Sequence, residues 1–242
     1  MGPDERNLRR QLRRSGLAKP MIDAAWPQWW TDAAEASVSA RNELRFTLAR
    51  ALGLDPRALV ESDEVRFAGT VGARFKSLTA ADASEQMAII SFGQSVTRLL
   101  MAATPAGEAP PQVTAARLRA FMLENGAVPS FQSIAAVCWR MGIPLVYLQV
   151  TPLQAKRMHA MASGQGARAA ILVAHDDTLY AKAAFTIAHE LGHVMLGHLD
   201  SEPAYLDMDD PLSGGAKNQD ERDADAYALE LLTGRPEPII TT

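Results

Sequence analysis

The sequence predicts an α+β fold in which a helical N-terminal module is followed by a smaller domain with a short sheet. Helix-start and helix-stop residues recur through about the first hundred positions. A proline-rich segment then interrupts them, and two apolar, strand-like segments follow among further helical ones. At 242 residues the chain is long enough for two domains, each with its own core.

The N-terminal module is predicted to span residues 1–103 and to be helical. Within residues 22–60, leucines spaced four apart follow one helix face, and Gly53 ends that helix. Asp55 and Pro56 then provide the start of another helix. A capping pattern at residue 79 predicts a long helix that continues to residue 104.

The domain boundary is placed at the linker of residues 104–113, which contains three prolines and one glycine. The second domain is predicted to span residues 114–242. Glycines and capping residues delimit its helices, and β-branched or apolar runs mark its strands. The predicted helices are 114–125, 130–141, 182–198 and 218–233, and the predicted strands are 143–150 and 168–174.

Charge is distributed unevenly, although the net charge is only −4. Residues 1–60 carry ten Lys and Arg against seven Asp and Glu, whereas residues 180–242 carry four against twelve. The first twenty residues hold six basic side chains. Such a pattern either contacts nucleic acid or forms a solvated helix face, and the second is the more frequent case.

Neither a membrane segment nor a disulfide is indicated. No stretch is long and apolar enough to span a bilayer, and the N-terminus lacks the apolar core of a secretory signal, so we expect a cytoplasmic protein. Cys138 is the single cysteine, which excludes an internal disulfide and a thiolate metal cluster. We expect Cys138 to be a buried small residue and not a nucleophile. A metal site would therefore use His and carboxylate side chains.

The segment 185–198, FTIAHELGHVMLGH, carries the strongest motif of the chain. His189 and His193 lie four residues apart on a predicted helix, so both imidazoles project from one face and can bind one metal ion. Glu190 lies beside the open coordination position, where a general base is needed. Apolar residues form a stripe that would bury the opposite side of this helix.

A catalytic zinc site uses three protein ligands and leaves a fourth position for water, so a third ligand is needed. Glu221 is the best candidate because it opens the next predicted helix, where Ala224 and Ala228 allow a close approach. Asp225 is one turn further on and is placed to accept the N–H of a liganding imidazole, which we expect to be His189. The alternative is that Glu221 and Asp225 belong to an ordinary charged helix face.

The segments AFTIAHELGHVMLGH and ERDADAYALELL together resemble the ImmA/IrrE family of zinc metallopeptidases, a gluzincin-like group. The resemblance covers about residues 130–234 and implies a small zincin-like metallopeptidase domain that binds Zn²⁺. Ala184 differs from the basic residue that many members carry before the Phe. The family's motif residues correspond to His189, Glu190, His193, Glu221 and Asp225.

Residues 44–61, LRFTLARALGLDPRALVE, are similar to the closing helices of the Xre-type helix-turn-helix that often accompanies this family. The resemblance implies a variant Xre-like N-terminal module, and DNA as a partner through that module. It also implies an endopeptidase that cleaves one specific regulatory protein, such as a transcriptional repressor or an antitoxin-like regulator. The alternative is a zinc-containing DNA-binding or toxin-antitoxin type regulator without proteolytic activity.

Two further expectations concern substrate binding in a zincin-like domain. The strand at 168–174 is expected to form the sheet edge, because zincins hold an extended peptide by pairing it with the sheet. Tyr205 and His198 are the nearest candidates in sequence for stabilising the transition state.

Overall fold

The structure is a computed structural model, and it shows the mixed α+β fold that the sequence predicts. The chain divides into two compact units, Met1–Val96 and Thr97–Thr242. The predicted domain limits at 103 and 114 remain a prediction. The structure describes residues 1–17, 19–68, 80–105, 108–148, 159–174, 179–200, 204–207 and 219–237. Within these ranges, the side chains of residues 80–88 and 205–207 are not described.

The first unit is helical. Its core consists largely of buried leucines contributed by several helices. As predicted, one helix ends at Gly53, whose φ of 68° is left-handed, and Asp55 caps the next by accepting the N–H groups of Arg57 and Ala58. The described helices are α1 (Pro3–Arg14), α2 (Lys19–Ala25), α3 (Asp32–Glu35), α4 (Val38–Leu52), α5 (Pro56–Glu61) and the first part of α6 (Ala80–Ala103).

A network of charged side chains holds the start of α1. The buried carboxylate of Glu35 accepts the backbone N–H groups of Asp4 and Glu5, and so takes the place of a capping side chain. The guanidinium of Arg45 donates to both carboxylate oxygens of Asp4 at 3.1 Å and to Asp63 at 3.0 Å. Because a charge in a protein interior is costly unless it is paired, these contacts fix one arrangement of α1 against α4.

The helices of the second unit agree with the sequence prediction apart from their ends. Thr114 caps the first of them and a capping box of Ser130 and Ser133 starts the second. The third ends at Met195, three residues earlier than predicted, and a short 3₁₀ turn follows at His198–Asp200. These helices are α7 (Ala115–Glu124), α8 (Phe131–Arg140), α9 (Tyr180–Met195) and α10 (Gln219–Thr233).

The described strands form one sheet with the order β1-β3-β2-β4. β1 pairs with β3 in parallel, whereas the β2–β3 and β2–β4 pairs are antiparallel. A two-residue turn joins β2 to β3, and Gly166 supplies the positive φ of 59° that such a turn needs. The strands are β1 (Leu145–Tyr147), β2 (Ala160–Gln165), β3 (Arg168–Val173) and β4 (Ala204–Asp207).

The expectation that the strand at 168–174 forms the sheet edge is wrong. This strand, β3, lies between β1 and β2. Ala169 to Leu172 are all buried, and a continuously apolar strand is typical of a position with both faces covered. The sheet edges among the described strands are β1 and β4. β2 and β4 are not among the strands predicted from the sequence.

Helix α9 packs at the centre of the second unit, against α10, α8 and β2. Arg168 at the start of β3 donates to the carbonyl of Met101 at 3.2 Å and to the hydroxyl of Thr104 at 2.8 Å. The last turn of α6 is therefore tied to the sheet. Among the described residues, no helix has the length and apolar character needed to cross a membrane.

Candidate metal centre

Helix α9 is buried on all sides from Ala184 to its end at Met195. Ile187 and Leu191 pack into the apolar core of the second unit. The polar side chains of His189, Glu190 and His193 are each only 1 % exposed. Burying polar groups costs free energy unless they find partners, so this helix face requires a compensating group.

Helix α10 approaches α9 closely because small residues meet at their crossing. A Cβ atom placed on Gly192 would lie 3.2 Å from the Cα and the carbonyl oxygen of Ala224, and Ala224 and Ala228 are fully buried. The close crossing brings the first turn of α10 beside the histidines. Glu221 lies in that first turn.

Two anchors fix α10 along its axis. The hydroxyl of Tyr227 donates to the carbonyl of Val113 at 3.0 Å. At the C-terminal end of α10, Arg119 donates to the carbonyls of Leu231 and Leu232, each at 2.8 Å. These carbonyls have no partner within the helix, so the guanidinium completes its C-terminus. The position of Glu221 is therefore set by contacts in the middle and at the C-terminal end of the helix that carries it.

His189, His193 and Glu221 form a group that can hold a metal ion. The two Nε2 atoms are 3.1 Å apart. Glu221 places one carboxylate oxygen 3.3 Å from Nε2 of His189 and the other 3.6 Å from Nε2 of His193. Donor atoms around a tetrahedral zinc ion, with bonds of about 2.0 to 2.2 Å, are about 3.3 Å apart. The spacing of the three side chains therefore fits such an ion.

The outer nitrogen of each histidine has its own contact. Nδ1 of His189 lies 3.0 Å from Oδ1 of Asp225, which is the contact expected from the sequence. Because this nitrogen donates its proton to the carboxylate, the lone pair of Nε2 is directed to the metal position. Nδ1 of His193 lies instead 2.9 Å from Nδ1 of His198.

Burial and neighbouring charges separate the two histidines electrostatically when no ion is bound. Desolvation lowers the pKa of His189, but hydrogen bonds with Asp225 and Glu221 outweigh it and raise the pKa to about 10. Desolvation, reinforced by the charges of His189 and His198, lowers the pKa of His193 to about 2. At neutral pH the ion-free pair thus carries a single positive charge, which lies on the protonated ring of His189. A cation that binds Nε2 of His189 has to displace the proton on that nitrogen.

Tyr205, His198 and Cys138 are not members of the metal-binding group. The backbone of Tyr205 belongs to β4, but its side chain is outside the described residues. His198 presents its two ring nitrogens to His193 and, at 3.9 Å, to Asp220. A role for His198 in stabilising the transition state stays a prediction. Cys138 is fully buried, and desolvation raises its pKa to about 12, so it is a thiol of the core.

Comparisons of the chain with family models, curated proteins and solved structures found no match. The resemblance to the ImmA/IrrE family therefore rests on the two helical motifs and on the residues that they bring together.

Sequence reasoning missed the contact of His198 with His193 and the approach of Asp220. On a continuous helix, positions 193 and 198 would point about 140° apart. The helix ends before that, and Gly197, with a φ of 74°, reverses the chain so that His198 turns back. Gly197 was the available signal, since a glycine shortly after a helical segment is typical of a left-handed helix end.

Proposed function

We propose that the protein is a zinc-dependent endopeptidase in which His189, His193 and Glu221 hold the ion and Glu190 is the catalytic base. The observation that supports this most directly is the convergence of three side chains, whose donor atoms approach one another to 3.1 to 3.6 Å. The buried carboxylate of Glu190 immediately follows His189 in the chain and is not a member of that group. Three ligands and one adjacent carboxylate are the donor set of a hydrolytic zinc site.

The residues of the site have two roles in the proposed reaction, metal binding and proton transfer. A zinc ion bound there would supply Lewis acidity toward a peptide carbonyl and an attacking water. Two neutral imidazoles and one carboxylate would leave the site with a single net positive charge, which favours the negative charge that develops on the carbonyl oxygen. Glu190 accepts the proton of the attacking water and delivers it to the leaving amine.

The donor set argues against the alternative, a regulator in which zinc is only structural. Structural zinc sites are usually closed by four protein ligands, most often including cysteine. In the part of the chain that the structure describes, the metal-binding group has three members, and Cys138 is not one of them. A structural site also has no use for a further buried carboxylate beside its ligands.

The substrate proposed from the family resemblance is one specific regulatory protein, such as a repressor or an antitoxin-like regulator. Among the described strands, a peptide that pairs with the sheet would add to β1 or β4, because both sides of β3 and of β2 are occupied by other strands. We propose this mode of binding with the edge strands in place of the expected β3.

The test is the substitution Glu190→Gln, which preserves the shape of the side chain and removes the base. The variant should bind zinc as the wild type does, while cleavage falls by about 10²- to 10⁴-fold. Cells that lack the gene are supplied with either form, and new protein N-termini are quantified by mass spectrometry. Glu230→Gln, the same change on α10 but outside the metal group, is the matched control and should leave cleavage intact.

N-termini that arise with wild type and Glu230→Gln, but not with Glu190→Gln, would identify the substrate and its cleavage site. If the biological activity of the gene survived Glu190→Gln unchanged, that activity would not be proteolysis. The structural-zinc regulator would then be the better description.

A further inference from the structure

His198 occupies a position that helical geometry alone would not give it. α9 ends at Met195, and the left-handed Gly197 turns the chain back toward the helix. A residue with a side chain would be strained at the φ of 74° that Gly197 adopts, and its Cβ would also have to displace the side-chain end of Gln112, which lies 2.8 Å away. The turn thus brings the His198 ring beside His193.

The contact between the two rings is specific in geometry. Their Nδ1 atoms are 2.9 Å apart, the ring centroids are 5.1 Å apart, and the planes are inclined by 66°. The side chain of His198 is 11 % exposed and that of His193 is 1 % exposed. One nitrogen of the pair must donate and the other must accept, because two N–H groups cannot face each other at this distance.

Metal binding decides which nitrogen donates. If Nε2 of His193 is a ligand, the neutral ring carries its proton on Nδ1 and donates it to Nδ1 of His198. His198 must then carry its own proton on Nε2. That nitrogen is 3.9 Å from Oδ1 of Asp220, too far for a direct hydrogen bond but close enough for the carboxylate to favour a proton there.

We infer that His198 is a positioning residue which orients His193 and fixes its tautomer, with Asp220 orienting His198 in turn. The inference rests on the proposed metal centre and assigns a supporting group to its second histidine. The two histidines would then be supported differently. His189 donates to a carboxylate, whereas His193 donates to a neutral ring that is a weaker acceptor.

The test is metal affinity, which needs neither a substrate nor catalysis. Ion-free protein is titrated with Zn²⁺ in competition with a chromophoric chelator, and with Co²⁺ to read the ligand field in the visible spectrum. His198→Phe keeps the ring but removes the acceptor, and affinity should fall by about 10- to 100-fold. His198→Asn places an amide oxygen near the position of the lost Nδ1, and affinity should stay within about three-fold of wild type.

The paired variants separate positioning from packing. Equal loss in His198→Phe and His198→Asn, or wild-type affinity in both, would overturn the inference, provided that circular dichroism shows each variant folded. If the Phe variant does not fold, a wild-type affinity for His198→Ala overturns it in the same way. A wild-type protein that binds no metal would remove the metal centre itself, whereas unchanged affinity in His198→Phe would leave the proposed peptidase intact.

Discussion

At the scale of single residues, Glu221 has the decisive position. Its two carboxylate oxygens lie 3.3 and 3.6 Å from the Nε2 atoms of His189 and His193, so it contacts both histidines of α9, whereas Asp225 contacts His189. Without it, two histidines on one helix remain, and two ligands are not a catalytic zinc site. The proposed metal site therefore depends on a residue 28 positions beyond the second histidine in the sequence.

Glu221→Ala should abolish stoichiometric zinc binding. The loss should exceed the roughly 10- to 100-fold that removing an outer partner of a ligand costs, because a direct ligand is lost. The measurement is zinc content after supplementation and gel filtration, together with chelator competition. Glu230→Ala, on the same helix outside the metal group, should retain about one equivalent. Zinc retained by Glu221→Ala and lost by Glu230→Ala would show that the assigned ligand is wrong.

The contacts that could be predicted from the sequence are those that regular helix geometry determines. His189, His193, Glu221 and Asp225 lie on helices, where a regular spacing sets the direction of each side chain, and the structure brings them together. The contact of His198 depends on the exact residue at which α9 ends. Helix ends are the least predictable part of an element from sequence, so this contact became visible only in three dimensions.

At the scale of elements, the helices could be predicted and much of the sheet could not. The capping residues Asp55, Thr114 and Ser130 mark helix starts because they satisfy N–H groups that every helix leaves open. β2 has the sequence AMASGQ, with small residues and no alternation, so nothing local distinguishes it. Its stability comes from pairing with β3 and β4, which is long-range information.

Helix α1 leads to a prediction about DNA. Arg6, Arg10 and Arg13 are exposed and share a face, since they are four and three residues apart. Arg14 is also exposed, whereas Arg9 is engaged by Glu5 and Asp23 and lies over the ring of Trp26. The exposed arginines are therefore the cations available to phosphates, and Arg9 has a structural role.

If the first unit binds duplex DNA, the logarithm of its affinity should fall linearly with the logarithm of salt concentration. Replacing Arg10, Arg13 and Arg14 with Gln should flatten that slope by up to about 3, since each phosphate contact contributes about 0.9. Fluorescence anisotropy over a salt series measures it. Arg140→Gln, an exposed arginine on α8 of the second unit, is the control in the full chain and should leave the slope unchanged. Binding that is absent at low salt, or independent of salt, would instead indicate a protein-interaction module.

At the scale of the whole molecule, the chain consists of two units whose boundary lies inside α6, after Val96. Sequence reasoning placed the boundary at 104–113, because prolines and a glycine are local signals of a linker. The contacts that tie the last turn of α6 to the sheet join residues that are far apart in the sequence. Arg168, 64 residues beyond Thr104, donates to the Thr104 hydroxyl, and no feature of the Thr104 segment itself signals that contact.

Two shortened chains distinguish these boundaries. Residues 97–242 should fold alone and bind zinc as the full chain does, whereas residues 114–242 should be less stable. The shorter chain removes the acceptors that Arg168 and Tyr227 use, Met101, Thr104 and Val113. Each hydrogen bond lost to water in this way costs about 0.5 to 1.5 kcal/mol. Urea unfolding followed by circular dichroism measures the difference, and Tyr227→Phe in the full chain isolates the share of the Val113 contact. Equal stability of the two shortened chains would place the boundary at the linker of residues 104–113.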